Sequence, residues 1–216
     1  MNDEKTDPGR TSAFLEAAYS LGDDEAMQRF YRDWASEYDH QMQEGLAYLS
    51  PQKIATLLMR YIEDTQARIL DVGCGTGLTS VALAESGFRR LDGLDFSPAM
   101  LEQSRQRGFY STLIEADLNL PLSISDASYD ALISSGTFTH GHVGANALDE
   151  LFRILKPGGY LACTIHRDIW QPLGFGEKLT QLEEAGIISI PALEESTFFA
   201  GGPAEGRFLV VRKSGD

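Results

Sequence analysis

Hydrophobic and polar residues in the middle of the chain follow a pattern that predicts strands separated by helices. Residues 68–72 alternate and are rich in branched side chains, which predicts a buried strand that ends at Asp71. Apolar residues from Leu78 onward take helical spacing, and a second short apolar run ends at Asp95. A strand, a tight loop, a helix and another strand in this order predict an α/β fold with a mostly parallel sheet.

The alternation of strands and helices continues toward the end of the chain. Helices are predicted at 146–154 and 174–185, and a Pro-Gly-Gly turn is predicted at 157–159. The glycine-rich stretch at 201–207 is typical of a hairpin turn, because no helix follows it. Further strands are predicted at 111–116 and 129–134, in a run that ends at 165, and in a closing antiparallel pair, 187–189 with 208–211. The sum is a doubly wound sheet of seven strands.

The first 64 residues predict a helical cap ahead of the sheet. Residues 1–10 carry charge without periodicity, so we expect a disordered leader. Residues 11–43 show helical spacing, which predicts two helices broken near Gly22. We therefore expect a cap over residues 11–64 and a core over residues 65–216.

Two serine–proline pairs predict helix starts. Ser50 and Ser97 each occupy an N-cap position, and a proline follows each of them in the first helical turn. Gly108 predicts the end of the second of these helices, since glycine readily adopts the left-handed conformation there. We expect the first of them to pack on the sheet.

A glycine-rich loop follows the first predicted strand and predicts a ligand site. Gly73, Gly75 and Gly77 give three glycines in five residues, which is more than a connecting turn requires. The dinucleotide fingerprint would need its third glycine where this chain has Leu78. A carboxylate at Asp71 would repel a phosphate but attract an ammonium group.

The second acid indicates the other half of the ligand. Asp95 closes the second predicted strand, where a carboxylate can accept two hydrogen bonds from ribose hydroxyls. A nucleoside with a cationic tail therefore satisfies both acids.

Three motifs, DVGCGTG, GLDFSPAM and EADL, occur in this order. Their series resembles that of the class I S-adenosylmethionine-dependent methyltransferases over roughly residues 30–165. Through GLDFSPAML, EADL and THGHVG, the chain is similar to the methyltransferase-like proteins of the Williams–Beuren chromosome region and their bacterial relatives. The resemblance implies a Rossmann-like sheet of order 3-2-1-4-5-7-6 with the last strand antiparallel, and an N-terminal helical lid. It also implies S-adenosylmethionine as cofactor, S-adenosylhomocysteine as product, and methyl transfer to oxygen, nitrogen or carbon of a small molecule.

The resemblance also implies which residues bind the cofactor. Asp71 would hold the glycine loop and, directly or through water, the cofactor ammonium, while Asp95 would bind the ribose. Asp117 would read the adenine. The small residues Ser134, Ser135 and Gly136 lie at the carboxyl end of the fourth predicted strand, where they could pass close to the methionine part of the cofactor. The full set implied is Asp71, Gly73, Cys74, Gly75, Gly77, Asp95, Phe96, Ser97, Met100, Asp117, Leu118 and Ser134.

An aromatic stripe before the first strand supplies candidates for the acceptor side. The stretch FYRDWASEYD resembles the lid of small-molecule methyltransferases, which implies Tyr31, Trp34 and Tyr38 as candidates to line the substrate side. Aromatic residues at helical spacing also pack as core, and we favour that interpretation for Phe30 and Trp34. For Tyr31 and Tyr38 the two interpretations stay open.

A pair of histidines follows the fourth predicted strand. One of His140 and His142 could serve as a general base or orient the acceptor, since neutral imidazole is available near pH 7. A helix-cap or surface role for both is an equal alternative. We expect no metal, because no cysteine or third histidine lies nearby in the sequence.

Composition and net charge limit the kinds of partner that we expect. A net charge of −14 over 216 residues repels nucleic acids and anionic membranes, which favours a small-molecule partner. No apolar run approaches the roughly 20 residues that a membrane span needs, and the first residues lack a signal sequence, so we expect a cytoplasmic protein. Cys74 and Cys163 are too few for a disulfide or metal framework. The sequence leaves open whether the chain forms a homodimer.

Other functions remain to be weighed. A nicotinamide-dependent oxidoreductase is disfavoured by the glycine spacing and by Asp71. A non-catalytic protein that binds S-adenosylmethionine as a regulator would keep every cofactor residue, so the sequence barely separates it from an enzyme. A carboxyl-transfer variant would need a cation beside the sulfonium, and the segments at the active edge contain no obvious arginine.

Overall fold

The computed structural model describes residues 24–139 and 143–215, in which seven strands form a single sheet. The strand order is β3-β2-β1-β4-β5-β7-β6, and β7 is antiparallel to both of its neighbours while the other pairings are parallel. The strands are β1 Arg68–Val72, β2 Arg90–Asp95, β3 Tyr110–Glu115, β4 Tyr129–Phe138, β5 Leu155–His166, β6 Ile188–Ser196 and β7 Gly206–Lys213. The predicted doubly wound sheet, its order and its antiparallel last strand are confirmed.

Helices cover both faces of the sheet. They are α1 Asp24–His40, continued by a π-helical turn at Gln41–Gly45, α2 Ser50–Leu58, α3 Leu78–Glu85, α4 Pro98–Arg107, α5 Ala147–Ile154, α6 Arg167–Trp170 and α7 Phe175–Glu184. Because side chains alternate along a strand, Leu70 of β1 joins a core with α5 and α7, while Ile69 joins a second core with α2 and α3. The predicted packing of α2 on the sheet is thus confirmed.

The connection into β5 differs from the predicted turn. Tyr129 pairs with Leu155 and Ala131 pairs with Tyr160. Between these two pairs β5 therefore moves on by five residues, whereas β4 moves on by only two. The predicted turn at 157–159 is therefore wrong in form, because the segment is an irregularity within a longer strand. Gly158 adopts a φ of 78° there, which favours glycine.

The two predicted helix starts have different outcomes. Ser97 is confirmed as an N-cap, since its hydroxyl oxygen accepts from the Met100 amide at 3.4 Å. The N-cap prediction for Ser50 is wrong: Leu49 precedes α2, and Ser50 is its first residue. The Ser50 hydroxyl is instead within hydrogen-bonding distance of Ser135 Oγ, at 2.9 Å, which removes it from any cap.

The N-terminal prediction is only partly within the described residues. The helical pattern is confirmed from Asp24 to His40, but the leader, the earlier helix and the break near Gly22 lie outside these residues. The division into a cap and a core stays a prediction. In residues 24–139 and 143–215, no helix combines the length and apolar character that crossing a bilayer would need.

Candidate active site

A cavity of about 330 Å³ opens at the carboxyl ends of β1, β2 and β4, where ligands bind in doubly wound sheets. Helix α1 covers one side of it. The lining residues are Gln28, Tyr31, Tyr38, Gly73, Gly75, Leu94, Asp95, Phe96, Met100, Glu115, Ala116, Asp117, Leu118, Asn119, Ser135, Gly136, Thr137 and Val143.

The loop between β1 and α3 depends on glycine. Gly73 has a φ of 66°, and a Cβ there would overlap Thr137 Oγ1 and lie 2.9 Å from Thr137 Cγ2. Gly73 and Gly75 line the cavity, as predicted for a ligand loop. Gly77, with a φ of 91°, precedes α3 and faces Tyr110 instead.

Cys74 takes part in the loop through its backbone. Its amide donates to the carbonyl oxygen of Leu94 at 2.9 Å, which ties the loop to the end of β2. The thiol is buried, 3.9 Å from Ser104 Oγ, and burial raises the pKa of Cys74. The side chain therefore packs behind the loop and does not line the cavity.

Asp95 connects three parts of the site. Its Oδ2 accepts from the Gly75 amide at 2.8 Å, and its Oδ1 accepts from the Ser97 amide at 2.9 Å. The side chain lines the cavity although it is 7% exposed. Burial raises the pKa of Asp95 to about 6, while the backbone donors oppose that rise. Ser97 itself is buried and holds the start of α4, outside the cavity lining.

Asp71 lies behind the glycine loop. Its Oδ2 accepts from Ser80 Oγ and from the Tyr110 hydroxyl, each at 2.8 Å. Its Oδ1 is buried and has no hydrogen-bond partner within the described part of the chain. Burial raises the pKa of Asp71 to about 6, and the two hydroxyl donors oppose that rise. The side chain supports α3 and does not line the cavity, so its contact with a cofactor ammonium stays a prediction.

Residues predicted at the adenine end are brought together. Phe96, Met100, Asp117 and Leu118 all line the cavity, and the Phe96 ring meets Tyr31 edge to face with centroids 6.1 Å apart. The sequence analysis did not name four further lining residues that lie within two positions of Asp95 or Asp117 in the chain: Leu94, Glu115, Ala116 and Asn119. Their position at the ends of β2 and β3 was the available indication.

On the β4 side, two of the three small residues named from the sequence line the cavity. Ser134 is buried, and its hydroxyl donates to the Val72 carbonyl at 2.8 Å, so it holds β4 to β1. Ser135 and Gly136 line the cavity, and so does Thr137, which the sequence analysis did not name. The Ser134 side chain points to the neighbouring strand and does not line the cavity, so its approach to the cofactor stays a prediction.

Two of the four acceptor-side candidates line the cavity. Tyr31 and Tyr38 do so from α1, whereas His140 and His142 lie outside the described residues. Burial and the negative charge of Asp95 raise the pKa of Tyr31, so its hydroxyl stays protonated near neutral pH. Trp34, predicted as core, is confirmed: it is buried and donates from Nε1 to Gln41 Oε1 at 2.7 Å.

A hydroxyl cluster beside the cavity was missed by the sequence reasoning. Ser135 Oγ lies 2.9 Å from Ser50 Oγ and 3.3 Å from the Tyr48 hydroxyl. Tyr48 also approaches Gly136, where a Cβ would lie 2.8 Å from its hydroxyl. Burial raises the pKa of Tyr48, with the two serine hydroxyls opposing that rise. No pattern in the sequence pairs residues this far apart.

Comparisons with known proteins agree with this geometry. Residues 70–163 match the family model described as a methyltransferase domain. Methyltransferase-like protein 27 of Homo sapiens is 36% identical over 182 residues, which is 81% of this chain and 73% of that protein. A ubiquinone biosynthesis O-methyltransferase of Xylella fastidiosa is 32% identical over 136 residues. The match covers 60% of this chain and 54% of that protein.

Among solved structures, a candidate S-adenosyl-L-methionine-dependent methyltransferase of Methanococcus maripaludis superposes with a TM-score of 0.63 at 20% identity. The match covers 86% of this chain and 94% of that chain. Sheet order, glycine loop and relatives together place the chain in the class I S-adenosylmethionine-dependent methyltransferases, and it belongs to that family. S-adenosylmethionine is accordingly its methyl donor, with S-adenosylhomocysteine as the product.

Proposed function

We propose that this chain catalyses methyl transfer from S-adenosylmethionine to a small-molecule acceptor. The observation that carries the proposal is one continuous cavity, which is lined by Asp95 at the end of β2 and by Ser135 on β4. A cavity that spans these strand ends can hold donor and acceptor side by side, and such positioning supplies much of the rate of a bimolecular reaction.

The residues near β2 and β3 fit the donor. Asp95 would accept hydrogen bonds from the ribose hydroxyls, because each carboxylate oxygen keeps a second lone pair beside its backbone donor. Phe96 and Met100 would lie against the adenine ring, and Asp117 would accept from its exocyclic amine. When bound, the cofactor supplies a methyl group that its sulfonium has already activated.

The β4 side supports an acceptor that is held by hydrogen bonds. Ser135 and Thr137 of β4 bring hydroxyl groups to the lining, and Tyr31 adds another from α1. Burial raises the pKa of Tyr31, so its phenol stays protonated. Among the described lining residues, the charged side chains are acidic: Asp95, Glu115 and Asp117. A carboxylate or phosphate on the acceptor would find no cation among them, so an uncharged acceptor fits better.

The size of the acceptor is supported by charge and by relatives. A net charge of −14 disfavours nucleic acids as substrates, since their phosphates would be repelled. The Xylella fastidiosa relative is named for an O-methyltransferase step in the biosynthesis of ubiquinone, which is a small molecule. We therefore propose oxygen, nitrogen or carbon of an uncharged small molecule as the methyl acceptor.

Calorimetric titration with S-adenosylmethionine, S-adenosylhomocysteine and NAD tests the cofactor assignment. Wild type should bind the first two, and Asp95→Asn should weaken both by roughly tenfold or more, because a charged acceptor of hydrogen bonds is lost. Asp33→Asn on the exposed face of α1 is the matched control and should bind like wild type. Binding of NAD alone would overturn the proposal.

Catalysis needs its own readout, because a non-catalytic regulator would also bind S-adenosylmethionine. Such a regulator would form no S-adenosylhomocysteine with any acceptor offered. An enzyme forms S-adenosylhomocysteine and methylated product in equal amounts, which mass spectrometry of a panel of uncharged phenols, alcohols and amines would detect.

A further inference from the structure

Three side chains from separate parts of the chain meet at the rim of the cofactor cavity. Asp39 of α1 accepts from the Thr76 hydroxyl through Oδ1 and from Arg107 Nη2 through Oδ2. Arg107, the last residue of α4, also donates from Nε to the Thr76 carbonyl at 2.5 Å. We name Asp39, Thr76 and Arg107 the clasp. Each member contacts the other two, so the three elements are held in a closed triangle.

The clasp acts on the glycine loop itself. Thr76 lies between Gly75 and Gly77 and is buried, so the loop cannot shift without moving its hydroxyl and carbonyl. Arg107 also packs along Gly77, where a Cβ would lie 3.2 Å from Arg107 Cδ. Both charged members of the clasp therefore contact the loop and depend on its conformation.

The clasp also fixes the helix that covers the cavity. Tyr38, directly before Asp39, lines the cavity together with Tyr31 and Gln28 of α1. Near the other end of α1, Gln28 Nε2 donates to the Phe96 carbonyl at 3.4 Å. Asp39 therefore anchors α1 near its carboxyl end, where the helix continues into the π-helical turn.

The ion pair is better placed than an ordinary surface pair. The side chains of Arg107 and Asp39 are 24% and 39% exposed, whereas Arg105 and Glu102 on the same helix are 61% and 55% exposed. Partial burial and several donors on one carboxylate strengthen a charge-assisted hydrogen bond, while solvated pairs contribute little.

We propose that Asp39 and Arg107 are positioning residues that hold α1 over the bound cofactor and slow its release. This inference rests on the proposed use of the cavity for S-adenosylmethionine. Neither residue lines the cavity, so they act through Thr76, through the loop and through the cover formed by α1. Loss of the clasp should therefore change the dissociation rate of the cofactor more than its association rate.

The test compares matched variants of the full chain by stopped-flow and calorimetric titration with S-adenosylhomocysteine. Arg107→Met keeps the methylene packing along Gly77 and should raise the dissociation rate by about fivefold to tenfold. Asp39→Asn keeps a group that can accept from Thr76 and should have a similar effect. Arg105→Met is the control and should stay within about twofold of wild type.

A double variant separates the clasp from independent effects. If Asp39 and Arg107 act together, adding Asp39→Asn to Arg107→Met should change the dissociation rate little further, because the pair is already broken. Fully multiplied effects of the two substitutions would overturn the proposal. So would dissociation rates in both single variants that match wild type.

Hydrogen exchange provides a readout that a loss of general stability would not give. S-adenosylhomocysteine should protect the amides of α1 in wild type, and that protection should be smaller in Arg107→Met while the amides of β1 and β4 stay equally protected. Equal protection of α1 in both proteins would contradict the clasp. A wild type that binds no S-adenosylhomocysteine would instead contradict the proposed function.

Discussion

The two sides of the cavity are built in different ways. At the β2 side, Asp95 holds the backbone of Gly75 and Ser97, so the site is shaped by short segments that follow consecutive strands. At the β4 side, the hydroxyl of Ser135 contacts the hydroxyls of Tyr48 and Ser50, which lie more than eighty residues earlier in the sequence. These contacts are made between side chains. Backbone contacts thus shape the side that we propose for the donor, and side-chain contacts shape the side that we propose for the acceptor. Such a division would allow one fold to keep its cofactor while the acceptor changes.

The largest loss of cofactor affinity should come from a change in the glycine loop, on the side of the cavity that backbone contacts shape. In Gly73→Ala the new methyl group would overlap Thr137 at a positive φ, so the loop must move. We expect cofactor affinity to fall by roughly 10- to 100-fold, since local strain of this kind costs about 1–3 kcal/mol. Titration calorimetry with S-adenosylhomocysteine measures the change.

Gly174→Ala is the matched control for Gly73→Ala. Gly174 has a similar φ of 73°, but no atom of the described residues lies within 4 Å of the position that a Cβ would take, and it precedes α7 away from the cavity. It should lose about 1 kcal/mol in the free energy of unfolding and keep its cofactor affinity. Equal affinity in the two variants would show that the loop does not hold the cofactor.

A medium effect should come from pH. Burial raises the folded pKa of Asp95 from 3.8 to about 6, so its contribution to stability is full below about 3.8 and is lost as pH rises through about 6. Ribose hydroxyls donate to the ionised carboxylate, so binding should release a proton near pH 6. Affinity should then fall as pH drops below about 6, by up to about tenfold per unit.

Calorimetry between pH 5 and 8, in two buffers with different ionisation enthalpies, measures this proton release. Asp95→Asn should remove part of the pH dependence, and Asp71, whose pKa is also raised to about 6, should account for the rest. A cofactor affinity in wild type that is flat from pH 5 to 8 would contradict the role of these carboxylates.

The smallest effect on cofactor affinity should come from a change in the hydroxyl cluster beside β4. Tyr48→Phe removes a hydroxyl beside Ser135 and should lower the free energy of unfolding by about 1 kcal/mol. Cofactor affinity should stay within about twofold, while turnover of any acceptor found should fall by about tenfold through lost positioning. Tyr61→Phe, whose hydroxyl contacts Pro191 away from the cavity, is the control. A large loss of cofactor affinity in Tyr48→Phe would contradict the proposal that the cofactor binds on the β2 side and the acceptor on the β4 side.

The same difference explains what the sequence could predict. The glycine loop, Asp95 and the Ser97 cap follow from neighbouring residues, whose local conformational needs are visible as letters in order. Ser50 looks like a cap for the same local reason. The structure removes it from that role, because its hydroxyl meets Ser135 across the fold.

Register was the other feature that local patterns could not predict. Whether Ser134 or Ser135 faces the cavity depends on a single step along β4, since successive side chains point to opposite faces. The irregularity in β5 depends likewise on its pairing with β4. The clasp could not be predicted either, because Asp39, Thr76 and Arg107 come from three separate elements.

Methyl transfer to a small molecule can be measured with methyl-labelled S-adenosylmethionine and an extract of the source organism, which is divided by ultrafiltration into small molecules and macromolecules. We expect wild type to raise labelled product and S-adenosylhomocysteine in the small-molecule fraction above the level of the extract alone. Gly73→Ala should raise both far less when S-adenosylmethionine is kept near the wild-type Kd. Label that enters only macromolecules, or no S-adenosylhomocysteine from either fraction, would contradict the proposed function.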